Sequence, residues 1–301
     1  MLTVLLNRLP TPAWPRHTAL FLPGILGITI LILSAVSGCA EENPVGADSD
    51  AWKAEVALPR LRDTNADPDI VEVSLTAQAT QVSLAPGETT AMYTYNGQYP
   101  GPTIETEVGD TLIVHFTNQL PEATTLHWHG VELPAIMDGS NISQAPVQPG
   151  QSFTYQFKLL NAATYWYHPH IRTHRQVEQG LHGALVVRDP ARDQQLGLPE
   201  KELVLLLDDI LLDDQNQVAP EYPSDPVQYA SFQLNGRESD DIRVNGRRDI
   251  PIVDVRSGEP VRIRAVNVAN SKFFRLSIRD HNTYRIGGDG GLLEHPGGSA
   301  P

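Results

Sequence analysis

From residue 69 onward the sequence is a succession of short β-like runs separated by turn residues. The runs alternate in polarity or are rich in β-branched and aromatic residues, and PG, NG, GD and PGQ sequences bound them. No stretch keeps a helical period over three turns. This pattern predicts an all-β fold, an antiparallel sandwich or barrel. In its first half we predict strands at 70–75, 89–95, 111–117, 152–159 and 184–188.

The strand pattern is interrupted near residues 189–200 and then resumes. The second series ends in GGDGGLLEHP, directly after a predicted strand. We therefore expect a complete domain over 69–190 and an incomplete second one over 198–301, with exposed apolar surface from about residue 200 on. Strands of this second block are predicted at 202–212, 241–244, 250–255, 260–268, 273–278 and 284–286.

The N-terminal segment has the composition of an export signal. Residues 1–38 contain Arg8 and Arg16, no acidic residue and an uncharged run over 18–36. The sequence Val-Ser-Gly-Cys that ends at Cys39 resembles a bacterial lipobox. We predict a lipoprotein signal peptide over 1–38, lipidation at Cys39 and a flexible tether over 39–68, so that the protein faces the periplasm or cell surface from a membrane. An uncleaved anchor and an ordinary cleaved signal remain as alternatives.

Composition limits the chemistry of the exported part. Cys39 is the single cysteine of the 301 residues, which excludes an intrachain disulfide and any CxxC metal or redox motif. The 36 acidic and 22 basic residues give a formal net charge of −14. This charge argues against a nucleic-acid partner, because such partners need a basic face.

Two His-x-His pairs are the strongest chemical signal: His127-Trp-His129 and His168-Pro-His170. On a strand, residues i and i+2 share a face, with Cβ atoms ~6–7 Å apart. That spacing suits two neighbouring metals better than one, and imidazole ligands favour Cu, Zn, Fe or Ni. A single such pair is more often two solvent-facing histidines. Two pairs with the flanks LHWHG and WYHPH favour a metal site instead.

At this point the sequence resembles a known family. Seven segments of the first half resemble the first cupredoxin domain of laccase-type multicopper oxidases. In the second half, VNGR and VRIRAVN resemble the second domain of that family. The match runs in order from about residue 73 to residue 296. The first-domain segments are YNGQYPGPTI, GDTLIVHFTN, LHWHG, MDG, QAPVQPGQSFTYQF, YWYHPH and GLHGALVV.

The resemblance implies a cupredoxin-like Greek-key β-sandwich for the complete domain and a cupredoxin-like fold for the incomplete second one. It also implies copper as the cofactor and a role for each paired histidine. His127 would bind the type 2 copper, His129 and His168 one type 3 copper, and His170 the other. Asp138 would orient a bound water or supply protons during oxygen reduction. The alternative for Asp138 is a turn residue ahead of a glycine.

The other histidines and the nearby tryptophans are interpreted structurally. We expect Trp128 and Trp166 to pack, and His115 to be a packed or cross-strand residue. His182 is interpreted as a non-ligand. The histidines without a partner at ligand spacing are His17, His174, His281 and His295.

The family also needs a type 1 copper with a cysteine ligand in an HCH motif of its third domain, and no HCH occurs in the sequence. We therefore expect an N-terminal portion of a multicopper oxidase that is inactive alone, unless a third domain is supplied in cis or in trans. The intact enzyme would oxidise a small reducing substrate by single electrons and reduce O₂ to water. The alternatives are a non-enzymatic copper-sequestering surface lipoprotein and, with less support because HWHGVEL offers no Asp-His ligand pair, a zinc hydrolase.

Overall fold

The computed structural model describes residues 4–8, 57–221, 223–248, 255–278 and 281–297. The predicted lipidation site Cys39, residues 39–56 of the predicted tether and most of the predicted leader lie outside these residues.

Within the described residues the chain forms fifteen strands, three short α-helices and one 3-10 helix, which confirms the all-β class. The strands are β1 (Val4–Arg8), β2 (Ile70–Ala85), β3 (Glu88–Tyr95), β4 (Gly101–Glu107), β5 (Thr111–Gln119), β6 (His127–His129), β7 (Ser152–Lys158), β8 (Ala163–His168), β9 (Gly183–Arg188), β10 (Glu202–Asp209), β11 (Ile242–Val244), β12 (Arg262–Asn267), β13 (Phe274–Ile278), β14 (Arg285–Gly288) and β15 (Gly291–Gly297). The helices are the 3-10 helix Ala135–Met137, α1 (Thr173–Glu178), α2 (Pro190–Leu196) and α3 (Pro226–Asn235).

The first domain is a sandwich of two four-stranded sheets. One sheet has the order β3-β2-β5-β7 and the other the order β4-β9-β8-β6. The β2–β5 and β4–β9 pairs are parallel, and the other pairs are antiparallel. The prediction of an antiparallel sandwich is therefore wrong for these two pairs, because each joins strands that are not consecutive along the chain. Non-consecutive strands are therefore neighbours in both sheets, so each sheet is held by long-range pairing.

Alternation places the core between these sheets. In β5 the side chains of Leu112, Val114 and Phe116 are fully buried. His115, between two of them, points to the exposed face. They pack with residues of the second sheet such as Trp128. Burial of one such aliphatic side chain stabilises the fold by about 1.5–3 kcal/mol.

The second block packs on the outer face of the first domain. Its β11-β10-β12 sheet lies against β8 and β9 through an apolar cluster of Leu58, Ala184, Leu206, Val266 and Val268. β9 is buried on both faces for this reason, and its sequence GALVVR reads as a continuous apolar run. The remaining strands form two pairs, β14–β15 and β1–β13.

A buried charge network accompanies the apolar junction. The side chain of Glu202 is 9% exposed and pairs with Arg188 at 2.9 Å, Arg264 at 2.7 Å and Arg262 at 3.4 Å. Two further acidic groups share these cations, since Arg188 also pairs with Glu105 and Arg262 with Asp193. Burial still lowers the pKa of Arg264, so its desolvation is only partly offset. Arg188 belongs to the first domain and Arg262 and Arg264 to the second block, so the network links the two.

Two observations refine the predicted domain limits. The interruption near 189–200 contains helix α2, and Asp189 caps it by accepting a hydrogen bond from the Arg192 main-chain N–H at 2.9 Å. Residues 57–68 of the predicted tether pack on the first domain. Leu58 is buried there, and the Leu61 N–H donates to the Thr103 carbonyl at 2.9 Å.

The second block exposes much of the apolar surface of the described residues. Ten large apolar side chains are exposed in the described part of the chain, and six of them follow residue 200, as the sequence predicts. These six are Val227, Tyr229, Leu234, Phe273, Leu276 and Tyr284.

Candidate metal centre

The paired strands β6 and β8 bring the predicted ligands together. His127 lies directly opposite His168 in the antiparallel register, and His129 lies opposite Trp166. Nitrogen atoms of His127, His129 and His168 all lie within 4.8 Å of one another. The ring of His170, just beyond the end of β8, is centred 5.1 Å from the His127 ring. The four predicted ligands are therefore neighbours.

The distance between two of these rings fits one shared ion. His129 Nδ1 is 3.3 Å from His168 Nε2. With imidazole–metal bonds of about 2.0–2.1 Å, two nitrogens at a tetrahedral angle stand about 3.3 Å apart. The His127 ring is centred 5.9 Å from the His129 ring and 5.1 Å from the His168 ring.

Main-chain carbonyls fix the orientation of two rings. Carbonyl oxygens only accept, so His127 Nδ1 donates to the Asp138 carbonyl at 2.7 Å, and His168 Nδ1 donates to the Pro169 carbonyl at 2.9 Å. In a neutral imidazole that donates from Nδ1, the Nε2 atom is the nitrogen that carries the lone pair for a metal. His170 is held through its main-chain N–H, which donates to Thr125 Oγ1 at 3.0 Å.

The Asp138 loop packs directly on the backbone that leads into β6. The 3-10 helix Ala135–Met137 ends at Asp138, whose Oδ1 lies 3.4 Å from His127 Nδ1. Gly139 follows with φ +73°, and a Cβ there would lie 2.0 Å from the Leu126 carbonyl oxygen. Glycine is required at this close approach because any side chain would push the loop away.

Burial keeps two of the four rings neutral. Burial lowers the pKa of His168 to about 3. Burial also lowers the pKa of His129, with a smaller contribution from the neighbouring His127. Both imidazoles are therefore neutral at pH 7, which is the form that binds a metal.

One contact of the site was not predicted from the sequence. Trp166 stacks on His168, with ring centroids 4.0 Å apart and planes at 27°, and lies 5.0 Å from His129. It therefore packs on two of the predicted ligands, beyond the general packing role expected of it. The contact could have been predicted, because Trp166 lies two residues before His168 on β8 and residues at that spacing share a face of the sheet. Trp128 packs in the core as predicted, with no exposed surface.

The remaining histidines lie elsewhere. His115 bridges neighbouring strands as predicted, 2.6 Å from Glu72 and 3.3 Å from Thr154. His182 is fully buried, away from the paired ligands. His174 pairs with Glu221, and His17 lies outside the described residues. In the part of the chain that the structure describes, His127, His129 and His168 form the one cluster of potential ligands that lie close enough together to hold a metal ion.

The family assignment follows from comparison with known proteins. The family model for multicopper oxidases matches residues 76–192, which contain all four ligand candidates. Multicopper oxidase MmcO of Mycobacterium tuberculosis is 30% identical over 86% of this chain and 54% of its own length. The chain belongs to the multicopper oxidase family. Laccase-1 of Cryptococcus neoformans is 31% identical over 68% of this chain and 35% of its own.

Solved structures agree with this assignment and confirm the cupredoxin-like fold. A multicopper oxidase from Pseudomonas thermotolerans matches with a TM-score of 0.66 and 34% identity, over 77% of this chain and 55% of that one. The multicopper oxidase of Campylobacter jejuni, described as a metallo-oxidase, matches with a TM-score of 0.67 and 33% identity, over 80% and 49%. This multicopper oxidase chain thus spans about half the length of these relatives. Membership of the family implies copper as the cofactor, and the comparisons do not favour the sequestering alternative.

Among the described residues, none of the helices has the length and apolar character needed to cross a bilayer.

Proposed function

We propose that this chain supplies one half of the oxygen-reducing copper cluster of a laccase-like multicopper oxidase. The observation that carries the proposal is the set of three histidines whose nitrogens lie within 4.8 Å, with His170 beside them. A set of four imidazoles suits copper, and none of the described residues beside them supplies the thiolate ligands of a structural zinc site.

We assign His127 to the type 2 copper, His129 and His168 to one type 3 copper, and His170 to the other. The 3.3 Å separation of His129 Nδ1 and His168 Nε2 supports a shared ion for that pair. The separate ion for His127 is proposed from the family resemblance, with support from the His-x-His spacing, which suits two neighbouring metals better than one.

Copper, when bound, supplies the one-electron chemistry by which O₂ is reduced to water at the expense of a small reducing substrate. The residues of this chain orient the ligand rings and supply a group that can transfer protons. Asp138 fixes the proton of His127 on Nδ1 through its carbonyl, so that Nε2 faces the metal. Its carboxylate, 31% exposed, is placed to orient a water or pass a proton. Trp166 restricts the tilt of the His168 ring.

Electron entry requires a type 1 copper, whose thiolate ligand does not occur after Cys39 in these 301 residues. We place that copper and the other half of the cluster in a third domain outside the 301 residues, in cis or in trans. The relatives, about twice as long as their matched part, support this placement. We further propose export and lipid anchoring at Cys39, on the strength of the leader sequence alone.

Copper titration of the chain, followed by metal analysis and electron paramagnetic resonance, tests the metal site. We expect bound copper that is lost in His127→Ala and His168→Ala and kept in His115→Ala, a histidine of the same domain outside the site. Preferential zinc binding, or copper binding that both site variants retain, would overturn the proposal.

Oxidation of a laccase dye tests the activity. We expect no turnover by the isolated chain and turnover after addition of a fragment that carries the HCH-containing third domain of the same protein. Copper binding without restored turnover would instead favour sequestration.

A further inference from the structure

The second block reaches the metal centre through the β14–β15 hairpin. Its tip lies on the turn that follows β6, where Gly130 is the residue after His129. A Cβ on Gly130 would lie 3.4 Å from the Asp289 carbonyl oxygen, and one on Gly291 would lie 3.1 Å from the Ala162 carbonyl oxygen. Gly130 and Gly291 have φ of +84° and +119°. Both glycines therefore permit a close backbone approach of the hairpin to the ligand strands.

The hairpin is held in this position from both sides. Gly288 pairs with Gly291, so Asp289 sits in the two-residue turn between them. From α2, Arg192 Nη2 donates to the Glu294 carbonyl at 3.0 Å. The position of Asp289 is thus fixed by the strand pairing at the tip and by an anchor farther along the hairpin.

The negative charge of Asp289 influences the pKa of His129. Burial is the largest influence on the pKa of His129 and lowers it, and the neighbouring histidines lower it further. Asp289 is the group that acts in the opposite direction, through its negative charge. The Asp289 main chain lies on the turn directly after His129, whereas Asp138 contacts His127.

We propose that Asp289 is a positioning residue of the copper half-site, which supplies a fixed negative charge beside His129 and so strengthens metal binding. The proposal rests on the proposed function, since it concerns the same four histidines. It gives the second block a role in the metal centre, although the four ligands come from the first domain. A carboxylate that does not ligate still stabilises nearby cations through space, and this stabilisation weakens as salt screens it.

The test is a copper titration of the full chain in competition with a chelator, at low salt and at about 0.5 M salt. We expect Asp289→Asn, which keeps the shape and removes the charge, to weaken copper binding by roughly three- to tenfold at low salt. The loss should shrink at high salt. Asp289→Glu should stay close to wild type because it keeps the charge.

Glu294→Gln is the matched control, because it removes one negative charge from an exposed position on the same hairpin. Equal affinities of wild type and Asp289→Asn, an equal loss in Glu294→Gln, or a loss that is independent of salt would overturn the inference and leave the proposed function standing. A wild-type chain that binds no copper would overturn both.

Discussion

At the scale of single residues, Gly139 decides whether the Asp138 carbonyl can reach His127. An alanine Cβ at 139 would lie 2.0 Å from the Leu126 carbonyl oxygen. Left-handed backbone costs a non-glycine residue about 1–2 kcal/mol, and the clash adds to that. We predict that Gly139→Ala destabilises the chain by more than about 3 kcal/mol and weakens copper binding. Denaturant unfolding and copper titration measure the two effects.

Gly150 provides the control for this prediction. It also has a positive φ, +78°, but a Cβ there meets nothing within 4 Å. Gly150→Ala should therefore show the backbone cost alone and leave copper binding unchanged. Equal destabilisation by the two variants would mean that the contact with the Leu126 backbone does not matter.

The ligand candidates were predictable at this scale, and their surroundings only in part. The paired motifs point to the four histidines because spacing along a strand is a local property. Asp138 was predicted through a family resemblance, and the structure adds that its carbonyl, as well as its carboxylate, contacts His127. Asp289 lies 160 positions from His129 in sequence, and no local pattern joins the two.

At the scale of elements, helix α2 fills the interruption between the two strand series. Asp189 accepts from the Arg192 N–H, Pro190 opens the helix, and Gly197 ends it with φ +63°. We predict that Asp189→Ala costs about 1 kcal/mol of stability, and that Asp189→Asn, which keeps the accepting oxygen, costs less than half of that. Thermal unfolding of the three proteins measures the difference. Equal losses of stability in both variants would show that the charge of Asp189, rather than its capping hydrogen bond, stabilises helix α2.

Most strands were predictable because each buries one face, so that apolar and polar residues alternate along its sequence. β4 was missed, since its residues 101–104 are buried without alternation. β6 is only three residues long, too short for a pattern. Helix α2 was missed because its residues were interpreted only as an interruption of the strand pattern, although Asp, Pro and Gly at these positions are ordinary helix signals. The parallel β2–β5 and β4–β9 pairs were not predictable from local sequence.

At the scale of the whole molecule, the junction between the domains contains a buried histidine that makes stability depend on pH. His182 is fully buried, and its Nε2 lies 3.7 Å from Asp208 of the second block. Burial lowers the pKa of His182 from 6.5 to about 4. Between these values the unfolded chain binds a proton at this residue and the folded chain does not, so stability falls as the pH falls.

We therefore predict that wild type loses up to about 3 kcal/mol more stability than His182→Gln between pH 6.5 and pH 4. Burial raises the pKa of Asp208, which gives the opposite pH dependence, but that contribution is common to both proteins. Urea unfolding with a chelator present measures the difference without proton release by copper binding. His295→Gln, at an exposed position, should follow wild type. Parallel pH profiles of wild type and His182→Gln would show that His182 is protonated equally in the folded and unfolded chains.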